Sequence, residues 1–302
     1  MNYQEFICSI QESLLEYLES GQKISLHSVP KNNGLILQGL VIEDPLINIS
    51  PTIYMEPYYL KYLNDYSLEE ICHEIMDYYH NFRPIAPFDD SIITDYNLAK
   101  EHIIMKLINR DLNKDLLEKV PFVPYLDLAI VFVCSLGDLS KEYSGVLIHH
   151  SQMQDWGITR SELYRVAKEN TQRFLPYFFT DMNVFLKEYL DDSTDINQDD
   201  YGEKVVPLPK TKMYLLTNHI KVLGATALLY DGILEEISDQ LNSSFILLPS
   251  SVHEVLIVPV ENRKEMEHYS NMVQEVNATQ LSPDEVLSDH AYYYSRKYKV
   301  LS

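Results

Sequence analysis

Three groups of side chains in this sequence have the types, and nearly the spacing, that catalysis or metal binding needs. The first lies in ILLPSSVHEVLIVPV (246–260), where Ser251, His253 and Glu254 stand between two apolar runs. A serine, an imidazole and a carboxylate are the parts of a hydrolase site. VHEVLIV alternates as a strand, however, and neighbouring strand residues point to opposite faces. His253 and Glu254 then diverge and form no dyad. Ser250 and Ser251 serve the turn, and a single Ser251–His253 contact survives. The second group is Asn218-His219, at the polar end of the strand MYLLT, where loop-borne sites commonly form. A turn role is the competing reading. His253, Ser251, Asn218 and His219 are the candidate catalytic residues.

The third group sits on a helix that begins at Ser67, where Ser67-Leu68-Glu69-Glu70 fits a capping box. His73-Glu74 resembles the start of a zinc-protease motif, but that motif needs His at position 77, which is Asp. At about 100° per residue, His73, Asp77 and His80 still share one face, opposite the Ile71/Ile75 stripe. They are the candidate metal ligands, with a solvated helix face as the competing reading. Cys72 points into the core stripe. Asp127, inside LDLAIVF, is either a catalytic carboxylate or the cap of a strand entry after Pro124. His149 and His150 close the strand GVLIHH and, being adjacent, cannot chelate one ion.

Hydrophobic spacing defines the elements that must hold these groups. Tyr3, Phe6, Ile7, Ile10, Leu14, Tyr17 and Leu18 keep a helical period, and Gly21 stops it. KISLHSV and LILQGLVI, joined by Lys31-Asn32-Asn33-Gly34, form a hairpin on the Asn-Gly signal, and 51–55 adds a strand. Further helices are expected at 95–109, 112–119, 159–176, 179–190, 231–241 and 262–277. Strands are expected at 125–136, 145–150, 213–217, 224–230, 244–248, 252–259 and 291–299. YLDLAIVFVCSL is apolar on both faces, as a central, doubly covered strand is. A strand–strand–helix order recurs at 125–175, 213–241 and 244–277. The fold class is therefore α+β: mixed, mainly antiparallel sheets of repeated strand-strand-helix units, after an N-terminal helix-hairpin-helix portion. The division is an N-terminal α+β portion over 1–120 and the repeat portion over 121–302. DDSTDINQDDYGEK forms an acidic loop or linker near 191–204.

Composition narrows the function classes. The 302 residues are 46% hydrophobic with nine Gly, a globular composition. Tyrosine is abundant, 23 against one Trp, which suits half-buried faces and interfaces. Net charge is −21, densest in the first third, and an acidic surface disfavours direct nucleic-acid and anionic-membrane binding. Cys8, Cys72 and Cys134 are an odd, widely spaced set, as free thiols in a reducing compartment are. The N-terminus has no basic segment of a signal peptide, and no apolar run is long enough to span a membrane. The cytoplasm is the expected location. No phosphate-binding loop, nucleophile elbow, dinucleotide fingerprint or zinc-ribbon spacing occurs, and no cofactor is expected.

LLEKVPFVPYLDLAIVF (116–132), WGITRSELYRVAKENT (156–171), LTNHIKVLGATALLY (216–230), ILLPSSVHEVLIVP (246–259) and the ending VNATQLSPDEVLSDHAYYYSR together resemble an uncharacterised bacterial family, a domain of unknown function. The resemblance runs from NISPTIYMEPYY (48–59) onward. It implies one integrated unit and no known activity. Three functions stay open. The first is a non-enzymatic acidic cytoplasmic protein that acts through protein–protein binding, on a partner with a basic surface. The second is a hydrolase built from strand-end His, Ser and Asn residues, with or without a metal. The third is a nucleic-acid mimic or inhibitor.

Overall fold

Asn2 opens the first helix. Its side chain accepts the Glu5 N–H at 2.9 Å, and the Glu5 carboxylate accepts the Asn2 N–H at 3.0 Å. Two amides that a helix start leaves bare are thereby bonded. The computed structural model describes residues 1–137, 144–193 and 211–302, with the backbone alone for 188–193. The chain divides into two compact units, Met1–Asp90 and Ser91–Ser302. The boundary at 120 drawn from the sequence lies inside the second unit.

In the first unit, helix α1 (Tyr3–Leu14) precedes strands β1 (Lys23–Pro30) and β2 (Ile36–Glu43). The two strands pair antiparallel through a turn in which Asn33 and Gly34 take φ of 60° and 71°. Asn and Gly enter that left-handed region at least cost, as the hairpin signal required. Strand β3 (Thr52–Tyr54) pairs with β2, which gives the order β1-β2-β3. Helices α2 (Met55–Leu63) and α3 (Leu68–Phe82) follow. The capping box of α3 is present as expected: Glu70 N–H donates to Ser67 Oγ at 3.2 Å and Ser67 N–H to Glu70 Oε2 at 2.8 Å. Phe6, Ile7, Ile10 and Leu14 of α1 meet Leu40, Ile42 and Ile53 of the sheet and Ile71, Cys72, Ile75 and Tyr79 of α3 in one core. Helix α2 is not among the elements expected from spacing. Its Pro57 reads as a breaker, but a first-turn Pro loses no hydrogen bond.

The second unit runs α4 (Ser91–Thr94), α5 (Tyr96–Ala99), β4 (Ile103–Asn109), α6 (Lys114–Leu117), β5 (Phe122–Tyr125), β6 (Leu128–Ser135) and β7 (Gly145–Leu147). It continues with α7 (His150–Asp155), α8 (Arg160–Phe174), β8 (Tyr177–Asp181), α9 (Met182–Ser193), β9 (Tyr214–Asn218) and α10 (Ile233–Leu241). It ends with β10 (Ser244–Leu248), β11 (Val255–Val260), α11 (Met266–Thr279), β12 (Tyr292–Ser295) and β13 (Val300–Leu301). One sheet has the order β4-β6-β5, with β7 also on β6, and the other β13-β12-β10-β11-β9-β8; the described pairings are antiparallel. The fold is α+β with antiparallel sheets. Every residue of β6 is buried, as its two-faced apolar pattern requires. Alternation splits β10 between two cores: Phe245 and Leu247 join the main core, while Ile246 and Leu248 pack with Tyr269 and Val273 of α11.

Several expectations are corrected. Residues 95–109 are not one helix but α5 followed by β4. The run Ile103, Ile104, Met105, Leu107, Ile108 is buried on both faces, and that suits a strand covered on two sides. Residues 224–230 are not a strand: Gly224–Leu229 form a 3-10 turn. The strand–strand–helix order therefore stands in β10-β11-α11 and fails in the middle repeat. His149 and His150 are not on a strand but open α7, both exposed. The expected acidic loop near 191–204 lies outside the described residues beyond Ser193. Among the described residues no helix is long and apolar enough to cross a membrane.

Candidate functional site

The strand end that carries Asn218 does gather polar groups. Asn218 closes β9 and is fully buried; its amide donates to the Val222 carbonyl at 2.7 Å and its side-chain oxygen accepts the Ile220 N–H at 3.1 Å. Thr217 Oγ1 donates to the His253 carbonyl at 2.8 Å. Gly224 passes so close that a Cβ there would meet Thr217 Oγ1 at 2.0 Å and the His253 carbonyl at 2.3 Å. That approach brings the Leu223 N–H to His253 Nδ1 at 3.3 Å. An accepting Nδ1 leaves the proton of the neutral ring on Nε2. Nε2 faces Glu285 Oε1 at 3.7 Å.

His253 lies in a bend, because β11 starts only at Val255. Strand alternation therefore begins only after this pair, and the carboxylate that the His253 ring faces is that of Glu285, not Glu254. Burial holds the Glu254 carboxyl above its usual range; His253 and a hydrogen bond with Ser251 pull against this, and Glu285 adds like-charge repulsion. Ser251 is buried, and its Oγ accepts the His253 N–H at 3.0 Å. The Ser251–His253 contact thus exists, but to the backbone and not to the ring. His219 is exposed on the turn, with its N–H on the Pro176 carbonyl at 3.2 Å. The structure brings Ser251, His253 and the Asn218 turn together and leaves the His219 ring outside.

Asp127 belongs to a second network. It stands in the β5–β6 turn, after Leu126 at φ 55°. Its carboxylate accepts the Tyr292 hydroxyl and, at 3.3 Å, the Ser288 hydroxyl, and His290 Nε2 lies 3.8 Å away. Tyr292 and Ser288 are buried, and His290 also bonds Asp289 through Nδ1 at 2.9 Å. Burial, and then the bond to Asp127, push the Tyr292 phenol far up, so it stays a donor. The network ties the β5–β6 turn to the chain entering β12. Residues 285–288 link the two clusters, since Val252 N–H donates to the Glu285 carbonyl and Leu287 N–H to the Ser250 carbonyl. Glu285, Ser288, His290 and Tyr292 were not singled out in the sequence. Their only signal was the polar run SPDEVLSDH ahead of a tyrosine-rich strand.

His73, Asp77 and His80 are exposed on one face of α3, and the His73 ring packs edge-on to Tyr17. Among the described residues no group of three or more His, Cys, Asp or Glu side chains is placed to hold a metal ion. The three cysteines are free.

Concave surface is found in the first unit. One pocket of about 380 Å³ lies between the start of β1, Val41 and Glu43 of β2, and the 44–50 loop. A second, of about 260 Å³, is lined by Thr52, Ile53 and Tyr54 of β3, Pro57, Tyr58 and Lys61 of α2 and Tyr78 of α3. Helix α2 has two aromatic faces. Tyr59 packs at a tilt on Tyr3 and Phe6 of α1, its ring 5.0 Å from that of Tyr3, and Tyr62 on Phe6, while Tyr58 and Lys61 face the pocket. Lys61 pairs with Glu74, and Lys31 Nζ stands 4.0 Å from the centre of the Tyr54 ring.

No curated protein and no solved structure matches the chain. A family model does match, over residues 3–296 and hence across both units. The chain belongs to that family, the family of unknown function DUF5688.

Proposed function

We propose that this protein acts by binding another protein, in the cytoplasm, and that its first unit makes the contact. The observation that carries this is the tyrosine-lined pocket of β3, α2 and α3 amid exposed apolar side chains. Eleven large apolar residues are exposed in the 90-residue first unit, among them Leu60, Leu63, Phe82 and Ile85, against nine among the described residues of the larger unit. Apolar exposure at that density is a feature of interaction surfaces. The net charge of −21 adds long-range attraction to a partner with a basic surface, and it opposes nucleic acid. The free cysteines, two with thiols pushed up to about 11 by burial, fit a reducing compartment. The test uses the tagged full chain as bait in extract of its own host at low ionic strength. A partner that co-purifies and is released as salt shortens the Debye length supports the proposal. Nothing above background at low salt removes it.

The second reading, a hydrolase, has one observation in its favour: the His253 imidazole faces the Glu285 carboxylate at 3.7 Å. His253 would act as general base or acid there. A hydrolytic activity lost in His253→Ala at unchanged thermal stability supports it. Lost stability with no activity in the parent assigns these residues to the fold.

A further inference from the structure

We infer that an extended peptide segment of the partner adds to the outer edge of β3, places one large apolar side chain in the tyrosine-lined pocket, and sets a carboxylate against Lys31. This rests on the protein-binding reading above. Four observations converge on it. First, the order β1-β2-β3 leaves β3 without a strand on its outer side among the described residues. The peptide groups of such an edge are a template for another extended chain. Second, all three residues of β3 line the pocket, and the facing wall is helical, from Pro57, Tyr58, Lys61 and Tyr78. The pocket thus opens along the strand edge, where an added strand would project its side chains. Third, about 260 Å³ is below the range of sites for drug-sized ligands, and it suits one large side chain against tyrosine rings.

The fourth observation is charge. The first 90 residues hold fourteen acids and only four cations, Lys23, Lys31, Lys61 and Arg83. Two of the four stand on the pocket's tyrosines: Lys31 over Tyr54, and Lys61 within 5.9 Å of the Tyr58 ring. Lys61 is paired with Glu74, whereas Lys31 makes no ion pair among the described residues. An incoming carboxylate at this pocket therefore finds a cation ready to accept it in an otherwise acidic unit.

The test pans phage-displayed random linear peptides against the full chain. The enriched sequences should share a Phe, Tyr, Leu or Ile within two residues of an Asp or Glu. A synthetic peptide of the leading sequence should lose at least tenfold in affinity for Lys31→Glu and for Tyr78→Ala, and Lys31→Arg should restore binding. Both side chains are at the surface, and circular dichroism of each variant confirms its fold. N-methylation along the peptide should weaken binding at alternate positions only, because every second N–H of an added antiparallel strand faces the edge. No enriched sequence family, equal binding to Lys31→Glu, or tolerance of N-methylation throughout overturns the inference. If host extract yields a partner at low salt while no peptide binds the pocket, the strand-addition inference falls and protein binding stands. If neither binds, both fall.

Discussion

In the C-terminal unit polar side chains meet one another; in the N-terminal unit aromatic side chains meet solvent. Ser251, His253, Glu254 and Glu285, and then Asp127, Ser288, His290 and Tyr292, have the residue types of catalytic groups. The Ser251, Ser288 and Tyr292 hydroxyls, the Asp127 carboxylate and the Nδ1 of His253 are taken up by backbone groups or by each other. Folding alone requires this, because a buried polar group left unbonded costs about 1–3 kcal/mol. A cluster of chemistry-bearing types at strand ends is therefore weak evidence of chemistry when the turns consume its hydrogen bonds. Nothing in folding asks the first unit to expose Leu60, Leu63, Phe82 and Ile85, or to leave a strand edge open beside a pocket. The comparison teaches that unsatisfied surface is the stronger functional signal here.

The contrast can be broken by substitutions that should move stability in one unit and binding in the other. Gly224→Ala should have the largest effect. Its Cβ meets the His253 carbonyl and Thr217 Oγ1, so a loss of about 3 kcal/mol is expected, read from chemical denaturation. Peptide binding at the β3 edge should be unchanged in it below its melting range. Lys31→Glu comes next: a tenfold weaker peptide, about 1.4 kcal/mol, with stability within about 0.5 kcal/mol of the parent. A Lys31→Glu variant that loses stability yet binds the peptide as the parent does would reverse the comparison.

Tyr292→Phe follows, with a loss of about 1 kcal/mol by denaturant midpoint and no effect on binding, since it removes one buried donor from Asp127. Glu254→Gln is the smallest and is read from the pH dependence of melting. Burial raises the folded-state pKa of Glu254, so the folded chain holds a proton that the unfolded chain has released in the window above the ordinary glutamate value. Stability from this group is full below that window and falls as pH rises through it. Glu254→Gln should remove that slope. An unchanged slope places the proton uptake elsewhere.

Much of the architecture is legible along the chain. The Ser67–Glu70 capping box and the Asn33-Gly34 turn rest on contacts within a few residues, and the unbroken apolar run of β6 is a local pattern. Rules of spacing and alternation capture such contacts well. They fail where long-range packing overrides them. Ile103–Asn109 becomes a strand because β6 pairs with it, and 224–229 becomes a turn because Gly224 must pass Thr217 and His253. The site was less legible. His253 falls in a bend ahead of β11, and Glu285 reaches it from another turn.

Local order, acidity and tyrosine abundance are thus properties of the amino-acid string, since they come from composition and from neighbours a few positions apart. Which side chains meet is a property of the folded chain. Asp127 finds Tyr292 across 165 positions, and β3, α2 and α3 shape a pocket only once the core of the first unit holds them. Pairing at that distance is set by sheet register and core packing, which no spacing rule within one segment encodes.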